Sequence, residues 1–257
     1  MRPGSTDVRA KRVTVHAPVT SFRHPFFVVG TQPTFLFPPP STIHGHCASA
    51  LGSFPDPQTF WFGMHFTFRA RARDLEHQHI AEAAGARRRV ALDDGTDVAA
   101  STEATVQPVT REFLFDARLT LYLAPEHGEA FASPAHVMTL GRSQDLATVV
   151  SIEDVTLEKV TRARLEHTLL PRSVRPAVRF GPTVLMTRHI SEPPERHATF
   201  AQYIALHEPV FFGDPTKGSR AFDIVDGVST EDLLCDPSVQ DDEGFARGVW
   251  VHRLVDA

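Results

Sequence analysis

The residues of this chain that could do chemistry are mostly arginines. Of 26 basic residues only Lys11, Lys159 and Lys217 are lysines, which leaves 23 arginines. A guanidinium is a planar fork of donors that grips phosphate and stacks on flat rings; a high-GC genome would favour arginine codons as well. Four places set arginines or free donors where they would meet an anion. In Ser21-Phe22-Arg23-His24-Pro25 a ring and a fork stand side by side, which suits an unpaired nucleotide; the plainer reading puts Phe22 in the core and Arg23 on the surface. Ser41 and Thr42 follow Pro38-Pro39-Pro40 at a helix start, with Ser41 as the expected cap. The first N–H groups of a helix lack an internal partner and can hold a phosphate, and Gly45 would let a ribose-phosphate chain come close. Otherwise these residues only fix how the helix begins. Leu140-Gly141-Arg142-Ser143-Gln144-Asp145 is a glycine-led loop in which Arg142 and Ser143 offer donors while Gln144 and Asp145 accept from a base; it also reads as a helix end and a turn. Arg87, Arg88, Arg89 and Arg111 bracket a polar stretch that would clamp a backbone by charge or simply be solvated.

Enzyme signals are weaker. Two tyrosines, Tyr122 and Tyr203, and three lysines give little material for metal-independent RNA cleavage. The 14 histidines invite a metal enzyme, but His44 and His46 point apart on a helix. His77 and His79 lie beside Glu76 and Glu82 without a clear further ligand. No Gly-x-Ser-x-Gly elbow or phosphate loop is present, and no cofactor is expected.

The elements that must position these groups read as follows. At 257 residues, 42% hydrophobic and 22% charged, the chain allows one large domain or two modest ones. No apolar run reaches the length of a spanning helix and the N-terminus lacks a signal-peptide stretch. Two cysteines, Cys47 and Cys235, make no disulfide framework. A cytoplasmic protein with no membrane contact is the expectation. The alternation Val13, Val15, Ala17 predicts a strand over 12–17. Ile43, Cys47, Ala50 and Leu51 share one helical face that ends at Gly52. Residues 60–73 alternate as one strand, with Arg69, Arg71 and Arg73 facing solvent or a protein partner. An excursion over 74–110 suggests a hairpin arm. Further strands follow at 113–123 and 147–152, with a helix from Ser133 to Gly141 between them. The order β-α-β-(arm)-β-α-β is that of ferredoxin-like, RNA-recognition folds, although their third-strand aromatic signature is absent. An α+β protein is therefore expected: a ferredoxin-like palm over 1–160, an extended β-hairpin thumb at about 86–112, and a small, mostly-β region over 161–257. Net charge is −5. It runs from +5 over 158–190 to −8 over 191–257, which suits one anionic partner and a separate protein interface.

Four segments taken together resemble the CRISPR-associated Cas-five family. They are Ser21–Pro25, the run PTFLFPPPSTIHGHCASALG at 33–52, REFLFDARLTLYLAP at 111–125 and LGRSQDL at 140–146. Their spacing is similar to the I-B-like branch, and the resemblance covers about 10–155. It implies a non-catalytic CRISPR RNA-binding subunit of a type I Cascade complex, serving antiviral defence. Such a subunit caps the 5′ handle of the guide RNA, contacts the backbone (Cas-seven) and large (Cas-eight) subunits, and meets target DNA only through the complex. Arg23, the Ser41 helix start and the Gly141–Asp145 loop would hold the handle, while the arm inserts between guide and backbone subunit. One branch of the family is an endoribonuclease that works with a tyrosine, a lysine and a histidine, a set this sequence does not bring together. The residues also admit a His-rich metal-dependent enzyme, or a pure assembly protein with no RNA contact of its own.

Overall fold

The computed structural model describes residues 7–27, 30–82, 89–99, 103–192 and 194–255. It is mixed α+β and mostly strand. The elements used below are β1 (Val8–Thr20), α1 (Pro40–Leu51), β2 (Trp61–Thr67), β3 (Ala70–Glu82), β4 (Glu103–Leu123), α2 (Pro125–Glu129) and β5 (Thr148–Lys159). They continue with β6 (Ala163–Leu165), β7 (Thr168–Pro171), β8 (Thr183–Ile190), β9 (Ala198–Leu206), β10 (Val210–Phe212), β11 (Leu233–Gln240), β12 (Ala246–Trp250) and β13 (His252–Arg253).

Four strands form the centre in the spatial order β5-β1-β4-β2, each antiparallel to its neighbour. Alternation decides their faces. Val13, Val15 and Ala17 of β1, Phe62, Met64 and Phe66 of β2, and Leu119, Leu121 and Leu123 of β4 are buried on one side, against Ile43, Cys47 and Ala50 of α1. Leu169, Met186, Tyr203 and Ala205 of the sheet β7-β9-β8 complete this core. The C-terminal part thus contributes to this core and also has a core of its own around Leu165, Leu206, Val210 and Trp250.

The central sheet also closes on itself. β5 hands over to β11 through Glu158↔Cys235 and Lys159↔Leu234, and β11 pairs with β12. Val251 then links β12 to β13, which pairs with β2 through His252↔Phe62. The segment 246–253 thus spans both edges. Inside the closure, Ala10, Tyr122, Leu157 and Val249 form a small further core. The approach is tight: a side chain at Gly63 would lie 2.3 Å from Val249 Cγ1.

Two sequence expectations change. The strand expected over 60–73 breaks at Phe68 and Arg69, although its register on β4 carries through from Phe62↔Leu123 to Ala70↔Phe115. Opposite the break, Asp116 adopts a left-handed φ of 52°, held by a 2.8 Å hydrogen bond between its carboxylate and His16 Nε2. Beyond the kink, β3 and β4 run out together as the arm, and Arg89–Ala91 pairs with Asp97–Ala99. The helix expected from Ser133 to Gly141 is absent. The second helix is the short α2, followed by a 3-10 turn at Ala130–Ala132. Residues 133–136 instead lie along α1: the N–H groups of Ala135 and His136 donate to the free carbonyls of Ala50 and Ser49 at its C-terminal end. Among the described residues no helix is long and apolar enough to cross a membrane.

Among the described residues one carboxylate is wholly sealed from solvent. Asp236 accepts from Arg12 Nη1 at 2.6 Å, Tyr122 Oη at 2.9 Å, and the N–H and Oγ of Ser238 at 3.0 and 2.6 Å. Burial works against its charge, but Ser238, Arg12 and Tyr122 hold it below the ordinary value of 3.8, while burial pushes the Tyr122 phenol up to about 12. Replacing Arg12 by Met is expected to destabilise the chain by about 3–5 kcal/mol in urea unfolding, since it strands a buried charge. Because the folded pKa is depressed, this carboxylate contributes stability above its unfolded value and loses it as pH falls below 3.8. An Asp236→Asn variant should lose less stability than wild type across that acid range.

Candidate nucleic-acid interface

The loop Gly141–Asp145 is built around Asp145, whose carboxylate is buried. It accepts from Ser21 N and Arg142 N at 3.1 Å each, and from Arg142 Nε and Nη2 at 2.9 and 2.7 Å. Asp145 N donates back to Arg142 O, and Leu140 N to Asp145 O. Asp145 is therefore the loop's organiser and is not placed to read a base. Gly141 has a φ of 96°, and a Cβ there would sit 2.6 Å from Thr20 Oγ1 and 2.7 Å from Ser21 O. Glycine is required by conformation and by approach together. The result is a rigid turn that presents Ser143 and Gln144 to solvent and Arg142 half-exposed.

This loop docks on the root of the arm. Arg111, expected to face a nucleic acid, is buried and ion-paired with Glu76 across the β3–β4 hairpin. Gln144 Nε2 donates to Glu76 Oε1 at 3.5 Å, and Arg142 Nη1 lies 4.0 Å from Glu76 Oε2. Burial works against the Glu76 carboxylate, yet Arg111, Gln144 and Arg142 keep it below its usual value. Asp145 is the main group raising the Arg142 guanidinium. On the opposite face of the hairpin, Arg73 donates to Glu112 Oε1 at 2.9 Å and Arg71 lies 4.0 Å from its other oxygen. Ser21 Oγ ties this region to Glu112 O at 2.7 Å.

Other expected site residues fall elsewhere. Phe22 is in the core, edge-on to Phe66 at 5.5 Å, so it offers no plane to a nucleotide. Its neighbour Arg23 is exposed and has no side-chain partner among the described residues. The helix α1 is capped by Pro39, not Ser41. Pro39 and Pro40 carry no N–H, and Thr42 N already donates to Pro39 O at 2.8 Å. Ser41 is left with the one unused backbone donor of the first turn, a poor phosphate cradle. Ser41, Thr42 and Gly45 form a half-buried strip, and the space above Gly45 is open. Arg89 is exposed, and its guanidinium donates to Asp97 O. Arg87 and Arg88 lie outside the described residues. His44 and His46 are buried, with ring N–H groups donating to Pro55 O and Thr139 O, and burial lowers the pKa of both.

The site also contains groups that sequence reasoning missed. Phe26 and Phe27 are exposed at 61% and 50% in the loop after Arg23. Phe26 faces Phe200, also exposed, with ring centroids 5.6 Å apart, and His24 stacks on Phe35 at 3.6 Å. Two phenylalanines beside Pro25 and outside any alternating run were the available signal.

A family model described as CRISPR-associated protein (Cas_Cas5) matches residues 12–200. The chain belongs to this family. It is thus a protein of the CRISPR ribonucleoprotein effector complexes. Three solved structures are similar to it. A chain of a CRISPR RNA-guided surveillance complex is 17% identical, with a TM-score of 0.44, covering 78% of this chain and 91% of that one. A CRISPR protein from Archaeoglobus fulgidus is 12% identical, with a TM-score of 0.38, covering 96% and 99%. A chain of a type III-B Cmr-beta complex bound to cognate target RNA and AMPPnP is 9% identical, with a TM-score of 0.46, covering 77% and 85%. No curated protein matches.

Gly141→Ala should destabilise this Cas5-family chain by about 1–3 kcal/mol through left-handed strain and overpacking. Hydrogen exchange should speed up first at the amides of Leu140, Arg142 and Asp145. Unchanged protection at those amides would show that the loop does not depend on the glycine.

Proposed function

We propose that this chain is the non-catalytic, guide-RNA-binding subunit of a type I, I-B-like Cascade complex. It caps the 5′ handle of the CRISPR RNA, contacts the backbone and large subunits, and meets target DNA only through the assembled complex, in the cytoplasm. The observation that carries this reading is the Arg142–Gln144 turn, held rigid at the arm root on the same Ser21 crossing from which Arg23 and the exposed Phe26 and Phe27 project. Rigid donors, a free guanidinium and solvent-facing rings are what a single-stranded RNA needs: phosphate contacts to position it and planes for its bases.

The spatial order β5-β1-β4-β2 with α1 on one face supports a ferredoxin-like palm. The β3–β4 hairpin, with its tip within about 86–112, serves as the thumb. The palm takes residues 1–160, and residues 161–257 form the smaller β region that closes it. A non-catalytic role is favoured by the tyrosines: Tyr122 and Tyr203 are both buried, Tyr122 on Asp236, so neither is available to a scissile phosphate. The test is a double charge reversal, Arg23→Glu with Arg142→Glu, in the complex assembled in cells. Guide RNA per complex should fall roughly tenfold or more, as expected for losing charge-assisted hydrogen bonds of about 1.5–3 kcal/mol each. Full guide occupancy with normal subunit stoichiometry would overturn the site.

A further inference from the structure

The arm root carries carboxylates to match its guanidiniums. Arg111 and Arg142 face Glu76 and Asp145, and Arg71 and Arg73 face Glu112. A phosphate arriving on the Arg111 and Arg142 face finds both forks engaged, so a carboxylate must leave for it to enter. The three differ in freedom. The side chains of Asp145 and Glu112 are 2% and 6% exposed; Asp145 is pinned by two backbone amides and Glu112 by Arg73. The Glu76 side chain is 29% exposed and sits on the solvent-facing strand β3. Side-chain donors from separate elements also converge on it. Arg111 from β4 meets its Oε2, Arg142 stands 4.0 Å from that oxygen, and Gln144 donates to Oε1 at 3.5 Å. Two guanidiniums and an amide around one anion are the donor set of a phosphate site.

We propose that Arg111, Arg142 and Gln144 form a phosphodiester-binding cradle that the Glu76 carboxylate fills in the free chain and vacates when an RNA phosphate enters. The inference rests on the guide-binding reading and adds to it where a phosphate sits and what keeps that place closed. A carboxylate and a phosphodiester each carry one negative charge, so the exchange leaves the charge balance of the half-buried pocket unchanged. In the free chain Glu76 spares Arg111 the cost of a buried, unpaired guanidinium. It also lowers the affinity for any anion by the fraction of time it occupies the cradle, which selects for ligands held by further contacts at Arg23 and the exposed rings.

The experiment uses the purified full chain with Glu76→Gln, and Glu76→Asp as the variant that keeps the charge but draws it back from the cradle. The probes are inorganic tripolyphosphate, followed by thermal shift, and a guide-length oligoribonucleotide, followed by anisotropy. Glu76→Gln should bind both probes roughly three- to tenfold more tightly than wild type, with Glu76→Asp between them. Adding Arg142→Ala should abolish the gain. Equal or weaker binding of tripolyphosphate by both folded variants would overturn the cradle and assign Glu76 a purely structural role. A tripolyphosphate gain in a chain that ignores RNA would overturn the guide-binding reading while leaving the cradle standing.

Discussion

A carboxylate sealed from water is costly unless every lone pair finds a donor, and Asp236 meets that demand from three strands. Arg12 lies on β1, Tyr122 on β4, and Ser238 on its own strand β11. β11 can therefore pack only where β1 and β4 present a guanidinium and a phenol. That requirement sets the closure of the sheet, because β11 carries β12, and the same segment continues into β13 on the far edge. It also locks β1 and β4 into one unit. The far end of β1 at Thr20-Ser21 and the middle of β4 around Arg111 then take fixed positions, and the candidate interface is assembled on them.

The interface follows a different rule from the core. In the core, Asp236 is buried together with the groups that satisfy it. At the arm root the paired groups are the ones proposed to meet RNA. Asp145 holds Arg142 by its backbone and its side chain, so the guanidinium is aimed before any ligand arrives, and little rotamer freedom remains to be lost on binding. Rigidity comes from inside the loop, and the solvent side carries Ser143, Gln144 and the free Arg23. Paired carboxylates keep this surface from being a general polyanion trap, in keeping with a chain whose overall charge is negative.

What the sequence made legible followed from short-range rules. Alternation identified β1, β2 and β4 and their buried faces, and Gly141 before Arg142 marked a loop that the structure places at the arm root. The failures have physical causes. Ser41 has the chemistry of a cap, but three prolines in a row let Pro39 take that place and removed the amides on which an anion site depends. Phe22 and Arg23 alternate like any strand pair, and the fold takes the plainer reading, with the ring in the core and the guanidinium outside. The 133–141 segment has a helix's starting residues, yet its N–H groups satisfy the end of α1. Glu76 is invisible as a site residue in the sequence because its partner Arg111 comes from the other strand of the hairpin and is matched to it only by the register of a long arm. Phe26 and Phe27 stand plainly in the sequence, but hydrophobic residues default to the core, and only the fold shows them turned outward.

The closure of the sheet also has a consequence for the order in which the chain is made. Strands β1, β2, β4 and β5 of the central sheet are synthesised before the segment 246–253 that joins its two edges. Until that segment emerges, Tyr122 and Asp236 lack their covering strand, the apolar inner face around Ala10, Leu157 and Val249 is incomplete, and the free edge of β2 has no partner along Trp61 and Phe62. Such an edge is a template for pairing with another chain. The chain thus carries an open sheet until β12 and β13 are made, and their pairing converts it into a closed one. Contacts between residues near 62 and 252 are among the longest in the chain, and loop-closure entropy makes such contacts late to form.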